Sequence, residues 1–162
     1  MLGFYMPKKQ KLMNNKPFTF EEYKEIYSKV PRLCVITVVR TDEGIVLTLR
    51  KLASWHNQWH LPGGTVFYGE TLHDAAKRVA LDELGVSVSV KDQVGYIDEY
   101  PSEKKEVGFG SVVSIVFLCE LKDGKLRPNE DAFEVRVFKE LPENMIMEEK
   151  EFMNKINFTK FL

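Results

Sequence analysis

The sequence predicts an α/β fold, a single domain in which helices pack on a mixed β-sheet. Three observations carry that reading. First, the chain has 162 residues, 44% of them hydrophobic and 12% aromatic, enough for a real core at a length that suits one domain. Second, β-branched or alternating segments lie on both sides of a segment with helical period. Third, interleaved strands and helices bury their apolar faces by packing as layers. The composition excludes a disordered chain, a collagen and a coiled coil. Lys and Arg number 23 against 24 Asp and Glu, a net charge of −1, so neither nucleic acid nor an anionic membrane is an expected partner. No apolar run approaches the roughly 18 residues of a membrane span. The apolar residues of the first twenty precede the lysines, the wrong order for a secretory signal. Cys34 and Cys119 lie inside apolar runs, as reduced buried thiols do. The expectation is a soluble, cytoplasmic protein acting on a small molecule, with a homodimer as a candidate assembly.

The elements follow in order. Residues 1–17 carry Lys8, Lys9, Lys11 and Lys16 without an acid and read as a flexible basic arm ahead of one domain at 18–162. Thr19 with Glu22 three residues on forms a capping box, Tyr23, Ile26 and Tyr27 give the short helix an apolar face, and Pro31 stops it. LCVITVV, the turn TDEG and IVLTLR read as a hairpin over 33–50. Residues 51–70 read as a loop, one short strand and a second loop around Trp55, Trp59, Pro62 and Gly63-Gly64. Thr71 to Asp74 fits a second capping box, a helix follows over 71–84, and Gly85 takes the C′ position. VSVSV alternates, and a hairpin over roughly 93–100 and 110–121 holds the charged loop PSEKKEVG. KDGK turns the chain, EVRVF at 134–138 is a last strand, and an amphipathic helix follows at about 145–157.

The helix at 71–84 carries an anomaly. Ala76, Ala80 and Leu84 stack on one face, and Val79 and Glu83 sit four apart on the adjoining face, with Asp82 close by. A charge beside an apolar stripe is costly unless it is paired or bound to metal. On periodicity alone, Glu83 snorkels at the rim and Arg78–Asp82 is an ordinary exposed ion pair. Gly63-Gly64 shifts that balance, because glycine lets backbone approach a ligand closely and the pair leads into Glu70. Carboxylates at 70, 82 and 83 then converge near one exposed carbonyl, a set of hard oxygens suited to Mg²⁺.

The run Gly64-(five residues)-Glu70-(seven residues)-Arg78-Val79-Ala80-Leu81-Asp82-Glu83-Leu84-Gly85-Val86 resembles the signature of the Nudix hydrolases, G-x5-E-x7-R-E-U-x-E-E-x-G-U with U aliphatic. Gly64, Glu70, Arg78, Glu83, Gly85 and Val86 match, Asp82 replaces a glutamate, and Val79 departs. With the strand order and the segment EVRVFKELP, the likeness covers residues 33–142. The resemblance implies an α/β/α sandwich around a mixed sheet. It implies a Mg²⁺-dependent (or Mn²⁺-dependent) pyrophosphohydrolase in which water attacks the diphosphate of a nucleoside diphosphate derivative, nucleoside diphosphate sugars being favoured. By the same resemblance Glu83, Asp82 and the Gly63 carbonyl are metal ligands. Glu70 and Arg78 hold the loop against the helix, with Glu70 in reach of a second metal and Arg78 counted in the catalytic set.

At Val79 the family carries a glutamate that ligates metal or acts as general base, and valine does neither. The GDP-mannose mannosyl hydrolase subgroup also lacks it, and Phe20 to Pro31, Arg50 and Trp59 to Gly64 resemble that subgroup. Its base is a histidine before the last strand; here Pro128 to Glu134 holds none, and Ala132 takes its place. The acids of that loop therefore stand in: Glu130 first as base, Asp131 completing the metal shell, and Glu134 at the start of the strand. Arg50 is expected to meet the diphosphate, and Trp55 and Tyr100 to stack on the base. His56 and His60 flank Trp59 without a third ligand and read as loop or strand residues. Glycosyl hydrolysis of GDP-mannose and a catalytically weakened nucleotide-binding module are the two alternative functions.

Overall fold

The computed structural model describes residues 18–98 and 111–161; the basic arm at 1–17, Tyr100 and the PSEKKEVG loop lie outside the described residues. Seven strands form one mixed sheet: β1 (Arg32–Thr41), β2 (Gly44–Arg50), β3 (Trp59–His60), β4 (Gly63–Thr65), β5 (Val86–Ile97), β6 (Val112–Gly124) and β7 (Ala132–Phe138). The helices are α1 (Phe20–Tyr27), α2 (Leu72–Leu84) and α3 (Met147–Lys155), with a closing 3-10 turn at Phe158–Phe161. None of the described helices is long and apolar enough to cross a membrane.

Strand β1 is central and buried on both faces. It runs parallel to β6, from Arg32 beside Val112 to Arg40 beside Glu120. Alternation along these two strands builds two cores. Val35, Val39, Phe117 and Cys119 face α2 and pack with Ala75, Ala76, Val79, Ala80 and Leu84. Ile36, Val38, Val116 and Leu118 face the other way, onto Trp59, Leu61, Met145 and Met153 of the α3 layer. The result is the expected α/β/α sandwich, and both cysteines are buried free thiols within it.

The predicted hairpin over 33–50 holds only near its turn. β1 and β2 pair at Arg40–Ile45 and Thr41–Gly44, then part. The other half of β1 takes β4 as its antiparallel neighbour, from Cys34–Thr65 to Ile36–Gly63, while β2 pairs with β7 and β3. Residues 51–70 thus contain two short strands instead of one, and the chain crosses from β2 to β1 at Leu61 and Pro62. Strand β5 is one bulged strand through Ile97, and β6 runs on through Gly124, so KDGK lies at a strand end.

The helix starts show what a cap requires. Thr19 and Glu22 make both halves of the capping box. At α2 only one half forms: Thr71 Oγ1 accepts from the Asp74 N–H at 3.1 Å, but the Asp74 carboxylate takes the Thr71 hydroxyl at 2.8 Å. Aspartate is one methylene too short to reach back to the cap amide. Gly85 ends α2 at φ 72°, the left-handed conformation glycine adopts without strain. The apolar residues of α1 stay unburied; Tyr23 and Tyr27 stack edge to face at 4.8 Å instead.

Candidate active site

The crossing at Leu61 and Pro62 builds the site. The Pro62 carbonyl accepts from the Thr37 N–H at 2.8 Å, fixing the segment to β1. A Cβ on Gly63 would lie 3.1 Å from the Val35 carbonyl oxygen, and one on Gly64 only 3.0 Å from Val79 Cγ2. Two glycines therefore let β4 lie against β1 and α2 at once. That approach brings the Gly63 N–H to Glu83, where it donates to Oε2 at 3.3 Å.

Arg78 locks the loop that follows. Its Nε and Nη2 donate to the two oxygens of Glu70, and Nη2 also donates to the Thr65 carbonyl at 2.8 Å. Glu70 Oε2 further accepts the Phe67 N–H at 2.9 Å, and the guanidinium lies 4.0 Å from the centre of the Phe67 ring. The Arg78 hydrogen bonds hold the Glu70 carboxyl below its ordinary range. Both Glu70 oxygens are thus engaged by the clamp. Asp82 is exposed, with one oxygen 3.5 Å from Arg78 Nη1.

Inside the loop the charges concentrate. Burial pushes the Glu83 carboxyl up to about 8, and Asp131 and Asp82 add to that rise against the Gly63 N–H and Arg50. Arg50, from the end of β2, is itself lowered by burial and drawn back up by Glu83, Glu149 and Asp131. Its Nε donates to the Ser54 carbonyl at 2.6 Å, and its guanidinium lies 5.7 Å from the Trp55 ring centre. Trp55 and Asn57 adopt φ of 54° and 61°, left-handed turns that bend residues 51–58 around Arg50 at a cost of about 1–3 kcal/mol each.

The loop before β7 divides its acids. Asp131 is half-buried, and its carbonyl accepts the Lys51 N–H at 2.9 Å. Glu130 is exposed. Glu134 pairs along its own strand with Arg136 at 2.6 Å. His56 and His60 are both structural. The His60 ring bonds Thr48 Oγ1 and the Leu61 carbonyl, each at 2.9 Å; that carbonyl only accepts, so Nδ1 carries the proton. Burial lowers His60 to about 4, which keeps it neutral. His56 Nδ1 bonds the Lys51 carbonyl at 3.0 Å.

Two residues change the sequence-based view. Val79 is 2% exposed and belongs to the α2 core, so the place of the family's glutamate is filled by packing. Glu149, from α3, was missed: its Oε2 accepts the Leu61 N–H at 2.6 Å, and burial pushes its carboxyl up to about 8, with Glu83 adding to the rise. Its signal was present, since Glu149 falls at helical spacing between Ile146 and Met153, the pattern that singled out Glu83.

Among the described residues, no three carboxylate, imidazole or thiol groups stand close enough to hold one metal ion. The donor chemistry still fits a hard divalent cation. Glu83, Glu149 and Asp131 outnumber Arg50, and Mg²⁺ takes only one or two protein carboxylates beside water and phosphate oxygens.

Comparison with known proteins agrees with the fold. The family model described as "NUDIX domain" matches residues 30–160. The chain is 32% identical over 120 residues to the low-salt glycan biosynthesis protein Agl8 of Haloferax volcanii, covering 73% of this chain and 77% of that one. It is 33% identical over 108 residues to the ADP-ribose pyrophosphatase of Methanocaldococcus jannaschii, covering 67% and 62%. A NUDIX hydrolase structure from Nitrosomonas europaea superposes with a TM-score of 0.68 at 22% identity, covering 81% of this chain and 73% of that one. A MutT NUDIX hydrolase from Burkholderia pseudomallei gives 0.68 at 23% identity, covering 77% and 97%. These two show a shared fold.

Proposed function

The chain belongs to the NUDIX domain family, and from that premise we propose that it is a pyrophosphohydrolase of nucleoside diphosphate derivatives, with nucleoside diphosphate sugars as the favoured substrates. The observation that carries the reading is the Glu83 carboxyl held at the Gly63 N–H, beside Arg50 and Asp131 and behind the loop clamped by Arg78 and Glu70. Glu83 and the Gly63 carbonyl, with one of Asp82 or Asp131, would hold Mg²⁺ or Mn²⁺, and water and phosphate oxygens would complete the shell. When bound, such an ion neutralises charge developing on the diphosphate and lowers the pKa of the attacking water.

The chain's own residues supply the rest. Arg78 and Glu70 keep the Gly63–Thr65 backbone against α2. Arg50 offers a guanidinium fork to diphosphate oxygens, and Trp55 beside it offers a ring face to the base. Because Val79 is a core residue, the proton of the attacking water passes to a loop acid, Glu130 first and Asp131 second. The two curated relatives support a nucleotide-linked sugar substrate, one named for glycan biosynthesis and the other for ADP-ribose.

Val79 also favours a second reading, attack at the sugar carbon with release of a nucleoside diphosphate. One experiment separates the two. A panel of nucleoside diphosphate sugars and ADP-ribose is incubated with Mg²⁺ or Mn²⁺ in ¹⁸O-labelled water. A nucleoside monophosphate and a sugar phosphate, with label on phosphate, support attack at phosphorus. A nucleoside diphosphate and free sugar, with label on the sugar, establish carbon attack. Tight nucleotide binding without turnover would leave a binding module and overturn both.

A further inference from the structure

Glu149 stands outside the Nudix signature, on the helix that covers the opposite face of the sheet. Buried Ile146 and Met153 flank it on the inner side of α3, so the helix delivers this carboxylate inward. It accepts the Leu61 N–H at 2.6 Å, while Glu83 from α2 accepts the Gly63 N–H at 3.3 Å. Helices on the two outer layers thus each send one carboxylate to a single crossing segment, at residues two apart, a spacing of about 6–7 Å in extended chain. Arg50 lies in the field of both carboxylates and of Asp131.

That arrangement loads one site with negative charge. Arg50 is itself held by Ser54, its Nε donating to the carbonyl at 2.6 Å and its Nη2 to Oγ at 3.1 Å, so a second carboxylate near Glu83 adds negative charge that favours a cation there. Its bond to Leu61 also fixes the segment that presents the Gly63 carbonyl. Resting on the reading of Glu83 as a cation ligand, we propose that Glu149 is a positioning residue of the cation site, which holds the Leu61–Gly63 segment and adds negative charge behind Glu83.

The test is Mn²⁺ binding, read from the electron paramagnetic resonance of free Mn²⁺ at pH 8.5, with a thermal melt of each variant alongside. Glu149→Gln keeps an oxygen for the Leu61 N–H and loses the charge. It should melt no lower than the wild type and bind Mn²⁺ about 10- to 100-fold more weakly, the usual effect of losing a partner behind a metal ligand. Glu149→Asp restores the charge on a shorter side chain and should regain part of that affinity, a recovery that simple loss of packing would not produce. Unchanged Mn²⁺ affinity in folded Glu149→Gln, or Glu149→Asp binding no better than Glu149→Gln, overturns this proposal alone. Absence of Mn²⁺ binding by the wild type brings down the cation reading and this proposal with it.

Discussion

Raising the pH should destabilise the metal-free protein, and the window can be worked out from the site. The Glu83 and Glu149 carboxyls are pushed up to about 8 from an ordinary 4.5. Between those values the folded chain holds protons that the unfolded chain has released, so stability falls as pH rises. His60 acts in the opposite sense lower down. It is neutral in the fold to about 4 and takes a proton in the unfolded chain below 6.5, so stability rises with pH up to that point. The clean window is therefore pH 6.5 to 8. There, one carboxyl of this kind costs about 1.5 kcal/mol, at 1.36 kcal/mol per pKa unit. Glu83 and Glu149 are both half-buried and Glu83 adds to the rise of Glu149, so the single-group figure is the net fall expected. At about 2–4 °C per kcal/mol for a chain of this size, the melting temperature should fall by about 3–6 °C. The assay is a calorimetric melt in EDTA at pH 6.5 and 8.0, repeated with excess Mg²⁺. Mg²⁺ should raise the melting temperature more at pH 8.0, because protons compete with the ion below that. Glu83→Gln should flatten the pH slope and abolish the Mg²⁺ effect. A metal-free melting temperature that holds or climbs from pH 6.5 to 8.0, or an equal Mg²⁺ shift in Glu83→Gln, would refute the reasoning.

Three further outcomes are expected. Gly64→Ala places a Cβ 3.0 Å from Val79 Cγ2 and should cost about 1–3 kcal/mol in urea denaturation, most of it recovered in Gly64→Ala/Val79→Ala; no recovery would show that the contact is not the cause. Arg78→Lys keeps the charge but loses the fork that holds Glu70 and the Thr65 carbonyl, so it should lower stability by about 1–3 kcal/mol and reduce turnover along with it. Glu130→Gln, if Glu130 takes the proton of the attacking water, should drop kcat by about 10²–10⁴-fold with KM little changed; a silent variant passes that role to Asp131.

The sequence was informative wherever one residue type meets one local demand. Gly85 follows the last apolar position of α2, Thr19 and Glu22 stand three apart, and alternation in VVSIVFLC distributes side chains to the two cores; each reads directly because the cause lies within a few residues. Whereas the α/β/α sandwich was implied by the resemblance to the Nudix signature, the layering of helices on strands was legible for the same reason. The parting of β1 from β2 was not, because the turn TDEG favours a hairpin locally, whereas the neighbours of β1 are β6 and β4, fixed by distant burial. Glu149 was missed for a related reason. Glu148 and Glu149 both open the C-terminal helix, where acids ordinarily favour the helix dipole, and only the fold reveals that Leu61 lies beneath one of them. Val79 stood out as a departure from a pattern, but its place in the core came from the packing of Gly64 above it.

The two grips on the crossing segment differ greatly in reach along the chain. Gly63 and Glu83 are 20 residues apart, whereas Leu61 and Glu149 are separated by 88. Loop closure alone makes the second contact costlier by about 1.3 kcal/mol, at roughly 0.6 kcal/mol per doubling. It also waits on β1–β6, a parallel pairing of distant segments of the kind that forms slowly. During synthesis the motif half of the site can therefore assemble around α2 while the α3 half has yet to be made. A cation that needs both halves binds only the finished fold. Its stabilisation would then fall on the complete native state and on no partly folded form, so a bound metal would be a late seal on folding as well as a reagent.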